Sequence, residues 1–330
     1  MPFFLRLRGG EEGSEAADLT EEQAHVLLDS AGEEATALLR TLSDYRESAQ
    51  VQQQGCQRIV NAFAAAAVNV SDYETLRSCY MSAAGVKCVL GSLRVHIHGA
   101  LPLVASLCKA LGVLLKGPPN HAPEGDFLHN ASCSSTAMRV ECGRAGAAEL
   151  ALALIKAHAE AAQEASSEDA GAVEVVCGAY YIIEMLLMDY ENKVLLAQMG
   201  ALPLFVQHLK TLSKHPSLLD AAAAVLINCA CAHDENKLLI ASEGAIPHIL
   251  AFMDAHMSNP RVLARGCAIM CNLAAEESQH LQKQLVTSFC QYRSTCFYPC
   301  RSTNTDAFTN TGAGISRCCS SRDLGYGDVP

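Results

Sequence analysis

Tryptophan is absent from all 330 residues, and aromatic residues of every kind make up only 5%. A core without large rings must be built from Ala, Leu, Val and Ile, which suits helices whose backbones approach closely. No uncharged apolar run reaches about 18 residues, so no membrane-spanning helix is expected. The opening segment 1–8 has too short an apolar stretch for a secretory signal. Phosphate-cradling GxxxxGK followed by Ser or Thr is missing, as are GxSxG, HExxH and a GxGxxG between strand and helix. The twelve histidines are scattered without a partner pattern. No catalytic residue is therefore assigned, no cofactor or metal is expected, and the chain is read as a non-enzyme.

Basic residues are also missing from one segment. Residues 11–34 hold nine acids, among them Glu11, Glu15, Asp18 and Glu34, and no Lys or Arg. The overall charge is −11, and without this segment 26 acids face 24 bases. The acidity thus belongs to a leader, residues 1–34, expected to be a solvated, flexible arm. The near-neutral remainder offers no phosphate-binding surface, so nucleic acid is not an expected partner. Within the leader, LRLRGG at 5–10 matches the tail of ubiquitin, a six-residue match that assigns no fold.

Sixteen cysteines lack the even spacing of a disulfide framework, and several sit in helical patterns beside Ala and Leu. A reducing compartment follows, cytoplasmic or nuclear. Cys229, Cys231 and His233, with Cys267 and Cys271 further on, resemble a zinc set on paper. Residues two apart on a helix point in different directions, however, so small packed hydrophobes are the better reading.

What is present is a repeat. NKVLLAQMGALPLFV at 192–206 returns as NKLLIASEGAIPHIL at 236–250, an offset that also carries Asn228 to Asn272. A period of this size belongs to two- and three-helix solenoids. Each unit divides into three helical pieces. A short one, 192–199 or 236–243, ends at Gly200 or Gly244, which can turn the chain left-handed. A second follows with Pro203 or Pro247 in its first turn. The third and longest opens at Pro216 or Pro260 and runs over 216–231 or 260–274.

The same template places third helices over 51–68, 98–116 and 171–188. First and second helices fall at 72–83 with 85–95, and at 134–143 with 146–158. The turn glycines become Gly85, Gly146, Gly200 and Gly244. Excess length marks insertions near 117–133, which is rich in proline and must be a loop, and near 160–170, which either prolongs a helix or forms a polar loop. The next turn glycine is due at Ser288, and the pattern fails there. The expected organisation is a solenoid over 35–286 and a Ser/Thr/Cys-rich disordered tail over 287–330.

These repeats resemble the armadillo family in three features. Asn192 and Asn236 stand at the start of the first helix, GALP at 200–203 and GAIP at 244–247 open the second, and NLA at 272–274 closes the third. The resemblance is strongest over about 170–280 and implies an all-α, right-handed superhelical solenoid of about four to five three-helix repeats. It also implies that the third helices line a concave groove for extended peptides or other proteins. In peptide-binding members an Asn on the third helix clamps the partner's backbone and a Trp one turn earlier stacks on its side chain. The Asn places here hold Asn61, Gly112, Glu184, Asn228 and Asn272, and the Trp places hold Gln57, Cys108, Tyr180, Ala224 and Ala268. The groove residues implied are Gln54, Gln57, Asn61, Tyr180, Glu184, Asn228, Arg265 and Asn272. Tyr180 is expected as an exposed aromatic platform and Arg265 as a fork of donors.

The expected function is a non-catalytic scaffold or adaptor that binds a protein or peptide segment in this groove. The alternative is a transport or chaperone-regulatory factor, like a nuclear-import adaptor or an Hsp70 nucleotide-exchange factor. The missing Trp ladder argues against import of basic cargo.

Overall fold

The computed structural model describes residues 35–67, 70–82, 85–116, 133–165, 170–212 and 215–275. The leader over 1–34, the tail over 287–330, most of the 117–133 insertion and the last part of the expected solenoid lie outside these residues. Fourteen helices and no strands occur among those described. Helices α1 (Ala35–Asp44) and α2 (Ala49–Ala66) open the array. Three-helix units follow: α3 (Val70–Ser82), α4 (Gly85–His96) and α5 (Leu101–Leu115), then α6 (Cys133–Arg144), α7 (Ala147–Glu164) and α8 (Ala170–Leu186). The last two are α9 (Tyr190–Gln198), α10 (Ala201–Thr211) and α11 (Pro216–Ala230), then α12 (Asp234–Ser242), α13 (Ala245–Ala255) and α14 (Pro260–Ala274). The architecture is an all-α solenoid, with one partial and four complete repeats among the described residues.

The third helices α2, α5, α8, α11 and α14 pack one on the next and form a continuous spine. Their inner faces are aliphatic: Leu107, Leu111, Ile182, Ile183, Leu226, Ile269 and Leu273 have lost nearly all contact with solvent. Burial of one such side chain stabilises by roughly 1.5–3 kcal/mol. Each repeat therefore depends on its neighbours to cover an apolar face it cannot cover alone.

Helix starts follow local chemistry. Ser48 accepts from the Val51 N–H, and Asn259 accepts from the N–H groups of Arg261 and Val262. Proline stands in the first turn of α5, α11 and α14. His233, suspected as a zinc ligand on paper, caps α12 instead, its Nδ1 accepting from the Asn236 N–H at 3.3 Å. At the turns, Gly146, Gly200 and Gly244 have φ of 89°, 66° and 80°. The last lets α12 and α13 meet at 73°. Gly85 is different from the expectation: it is a buried residue of α4 and is not among the positive-φ glycines. The acidic stretch expected near 160–170 prolongs α7 as far as Glu164.

The repeated Asn-Lys pair works as a staple. Asn192 Nδ2 donates to Leu186 O at 2.9 Å, and Asn236 Nδ2 to Cys229 O at 3.1 Å. Both acceptors lie near the C-terminal ends of third helices, where carbonyls have no partner within the helix. Lys193 Nζ reaches Cys231 O at 2.5 Å, at the end of its own repeat's third helix. One repeat earlier the corresponding work falls to a buried ion pair. Arg139 NH1 lies 3.5 Å from Asp189 Oδ2, and its Nε donates to Leu115 O.

Candidate functional site

A cleft of about 640 Å³ opens along one side stripe of the third helices, across α8, α11 and α14. Lys116 at the end of α5, Tyr181 and Glu184 on α8, and Asp220 on α11 line its walls. Arg261 and Arg265 close it from α14. The stripe follows from 3.6-residue periodicity: 177, 181 and 184 share a face, as do 217, 220 and 224, and 261 with 265.

Charge in the cleft is organised around Asp220, whose side chain is only 14% exposed. Its two carboxylate oxygens accept separately from Arg261 NH2 at 2.7 Å and from Arg265 Nε at 3.0 Å. Burial by itself would raise this acid, but the two guanidiniums outweigh it and hold the carboxyl below its ordinary range. Glu184 behaves in the opposite way. Burial pushes its acid up, and the nearby Arg265 charge offsets only part of that.

The residues implied by the repeat resemblance divide into three groups. Gln54, Gln57 and Asn61 are exposed on α2, where Gln57 Nε2 donates to Asn61 Oδ1 at 2.8 Å. This end of the stripe is a surface of uncharged amides. Glu184 and Arg265 line the cleft itself. Asn228 and Asn272 are half-buried, and their Nδ2 groups are engaged by the preceding third helix. Asn228 donates to Glu184 O at 3.4 Å and Asn272 to Ile227 O at 3.0 Å. One N–H of each amide is thus committed to the solenoid, and its Oδ1 and second N–H remain as the acceptor and donor that a peptide bond can meet.

Tyr180 is corrected outright. It is completely buried, packed on Phe205 with ring centroids 5.8 Å apart, and its hydroxyl meets His208 Nδ1 at 2.5 Å. It is a core residue and offers nothing to a groove. The aromatic ring on the cleft belongs to its neighbour Tyr181. Gly112 makes room for that ring: a Cβ at Gly112 would come within 2.3 Å of Tyr181 Cδ1. The one Asn place that holds glycine is thus the place a tyrosine from the next repeat fills. The signal was present in the sequence as Gly112, but only packing connects it with Tyr181.

The buried Tyr180–His208 pair has a measurable consequence. Burial lowers the His208 pKa to about 4, whereas an unfolded histidine titrates near about 6.5. The unfolded chain therefore takes up this proton first as pH falls. Stability tied to neutral His208 is complete above about pH 6.5 and is lost as pH drops through about 4, to a total of roughly 3 kcal/mol. Urea midpoints measured across that range should fall more steeply for the native chain than for His208→Leu. Parallel slopes in the two proteins would assign acid sensitivity to other groups.

No family model matches the chain, and no curated protein matches it. Solved structures do. The chain is similar to a designed armadillo repeat protein in complex with the peptide (KR)4, with a TM-score of 0.59 and 12% identity over 87% of this chain and 100% of the other. It is also similar to computationally designed armadillo repeat proteins for modular peptide recognition, with a TM-score of 0.57 and 14% identity over 86% and 99%. An engineered protein gives a TM-score of 0.57 and 16% identity over 86% and 94%. Likeness at this level of identity concerns the fold, which is that of an armadillo-type repeat solenoid.

Proposed function

We propose that this armadillo-type solenoid is a non-catalytic scaffold or adaptor that holds an extended segment of a partner protein along its third helices. The observation that carries the reading is the cleft across α8, α11 and α14, where the Tyr181 ring and the ordered charges of Glu184, Asp220, Arg261 and Arg265 face one channel. Such a surface suits a peptide better than a small substrate. Its walls are long and open, and it has few groups that could exclude water from a reaction. The two designed relatives whose descriptions name peptides add support, since a spine of third helices is the surface shared by the fold. Buried cysteines such as Cys56, Cys108 and Cys229 pack inside the helices without a disulfide, which supports a reducing compartment, cytoplasmic or nuclear.

A random-peptide display on the immobilised full chain tests the reading. Selected peptides are expected to lose at least about tenfold in affinity for a variant carrying Tyr181→Ala, Asn228→Ala and Arg265→Ala, with its helical circular dichroism unchanged. Peptides that bind the triple variant as well as the native chain would move the binding site off the groove. Selection of basic signal-like sequences alone would favour an import-adaptor role over a general scaffold.

A further inference from the structure

We propose that the C-terminal end of this groove is a subsite for an anionic side chain, carboxylate or phosphate, on the bound segment, gripped by Arg261 and Arg265. The inference rests on the reading that the groove holds an extended segment, and it names one chemical requirement of that segment.

The arginines are pre-positioned. Asp220, largely buried beneath them, takes one N–H from each guanidinium. A guanidinium has a planar fork of donors, so most of each fork remains for a ligand. Holding two such long side chains in place before binding removes much of the entropy a ligand would otherwise have to overcome. Arg261 is well suited to meet it, since its side chain is 74% exposed at the mouth of the cleft. Asp220 is thus a positioning residue, and it satisfies only a part of the charge it organises.

The surroundings have the same sign. Helices α11 and α14 both begin at the cleft, where Pro216, Ser217 and Asn259 line it. Helix N-termini carry partial positive charge. Lys116 adds a third cation on the α5 side. Against these stand two carboxylates, Asp220 and Glu184. A cationic side chain entering here would meet two guanidiniums and two helix N-termini in order to reach Glu184 alone. An anion meets the guanidiniums directly and is opposed only by Glu184. That opposition yields a second expectation, because neutralising Glu184 should favour the anion.

The test uses the full chain and labelled peptides of equal length built on alanine, carrying glutamate, phosphoserine, glutamine or lysine at alternate positions. Fluorescence anisotropy should show the glutamate and phosphoserine peptides binding at least about tenfold more tightly than the glutamine peptide. Arg261→Ala with Arg265→Ala should reduce them to the glutamine level, and Glu184→Gln should tighten both. Asp220→Ala should narrow the glutamate-over-glutamine ratio, a readout that a purely structural role would not move. Binding by the phosphoserine peptide alone would identify the anion as a phosphorylated side chain rather than a carboxylate. If the lysine peptide binds best, or the double arginine variant keeps the acidic preference, the anion subsite is wrong while the groove stands. If no peptide of any charge binds, the groove reading fails and the subsite fails with it.

Discussion

Tyr180→Ala should destabilise the chain by about 3–5 kcal/mol, the range for removing a large aromatic side chain from a packed core. The ring has no solvent contact and fills the space between α8 and α10, against Phe205 and His208. Its loss leaves a cavity and strips His208 Nδ1 of its partner. Tyr180→Phe isolates the second effect, since it keeps the ring and removes only the hydroxyl, and should cost about 1–3 kcal/mol. Urea unfolding followed by circular dichroism measures both. Tyr181→Ala is the informative companion. Its ring already faces the cleft, so the stability loss should be smaller and the loss of peptide affinity larger. A Tyr180→Ala protein as stable as the native chain would mean that the ring is not in the core.

Asp189→Ala should be of comparable severity, about 3–5 kcal/mol, because it leaves a buried charge without its counter-ion. Arg139 is 1% exposed and Asp189 6%. Burial already lowers the Arg139 pKa, Asp189 opposes that shift, and the neighbouring Arg77 charge adds to it. Without the carboxylate, Arg139 and Arg77 face each other inside the solenoid. The damage should concentrate at the junction of α6, α8 and α9, so hydrogen exchange should quicken there before the C-terminal repeats respond. Replacing both partners, Arg139→Met with Asp189→Leu, should cost less than Asp189→Ala alone. If the single substitution costs under about 1 kcal/mol, the guanidinium reaches solvent and the pair is not a structural anchor.

The repeat architecture was legible because its signals are local. Pro216 and Pro260 open helices, and Gly146, Gly200 and Gly244 take positive φ, for reasons that concern a few neighbouring residues. An exact recurrence of Asn, Lys, Gly and Pro marked the register of the last two repeats, and even the weaker units upstream fell within a few residues of the observed helices. The amide-rich face of α2, with Gln54, Gln57 and Asn61, was also readable, since one helical stripe exposes all three.

The roles within that architecture were decided by tertiary contact. Residues 179–183 read AYYII, and a helix turns by about 100° per residue, so periodicity does not distinguish which tyrosine faces the core when every neighbour is apolar. Gly112 settles it from another repeat by leaving a space that Tyr181 enters. Asn192 and Asn236 looked like a signature, and their work as staples depends on where the preceding third helix ends its carbonyls. Arg139 and Asp189 stand 50 residues apart, and Asp220 stands 41 and 45 residues from the arginines it holds. The sequence by itself determined a stack of three-helix units and where the chain turns, because caps, prolines and glycines act within a few residues. Only the tertiary structure decided which side chains are buried, stapled or presented along the groove, because those fates are set by residues a full repeat away.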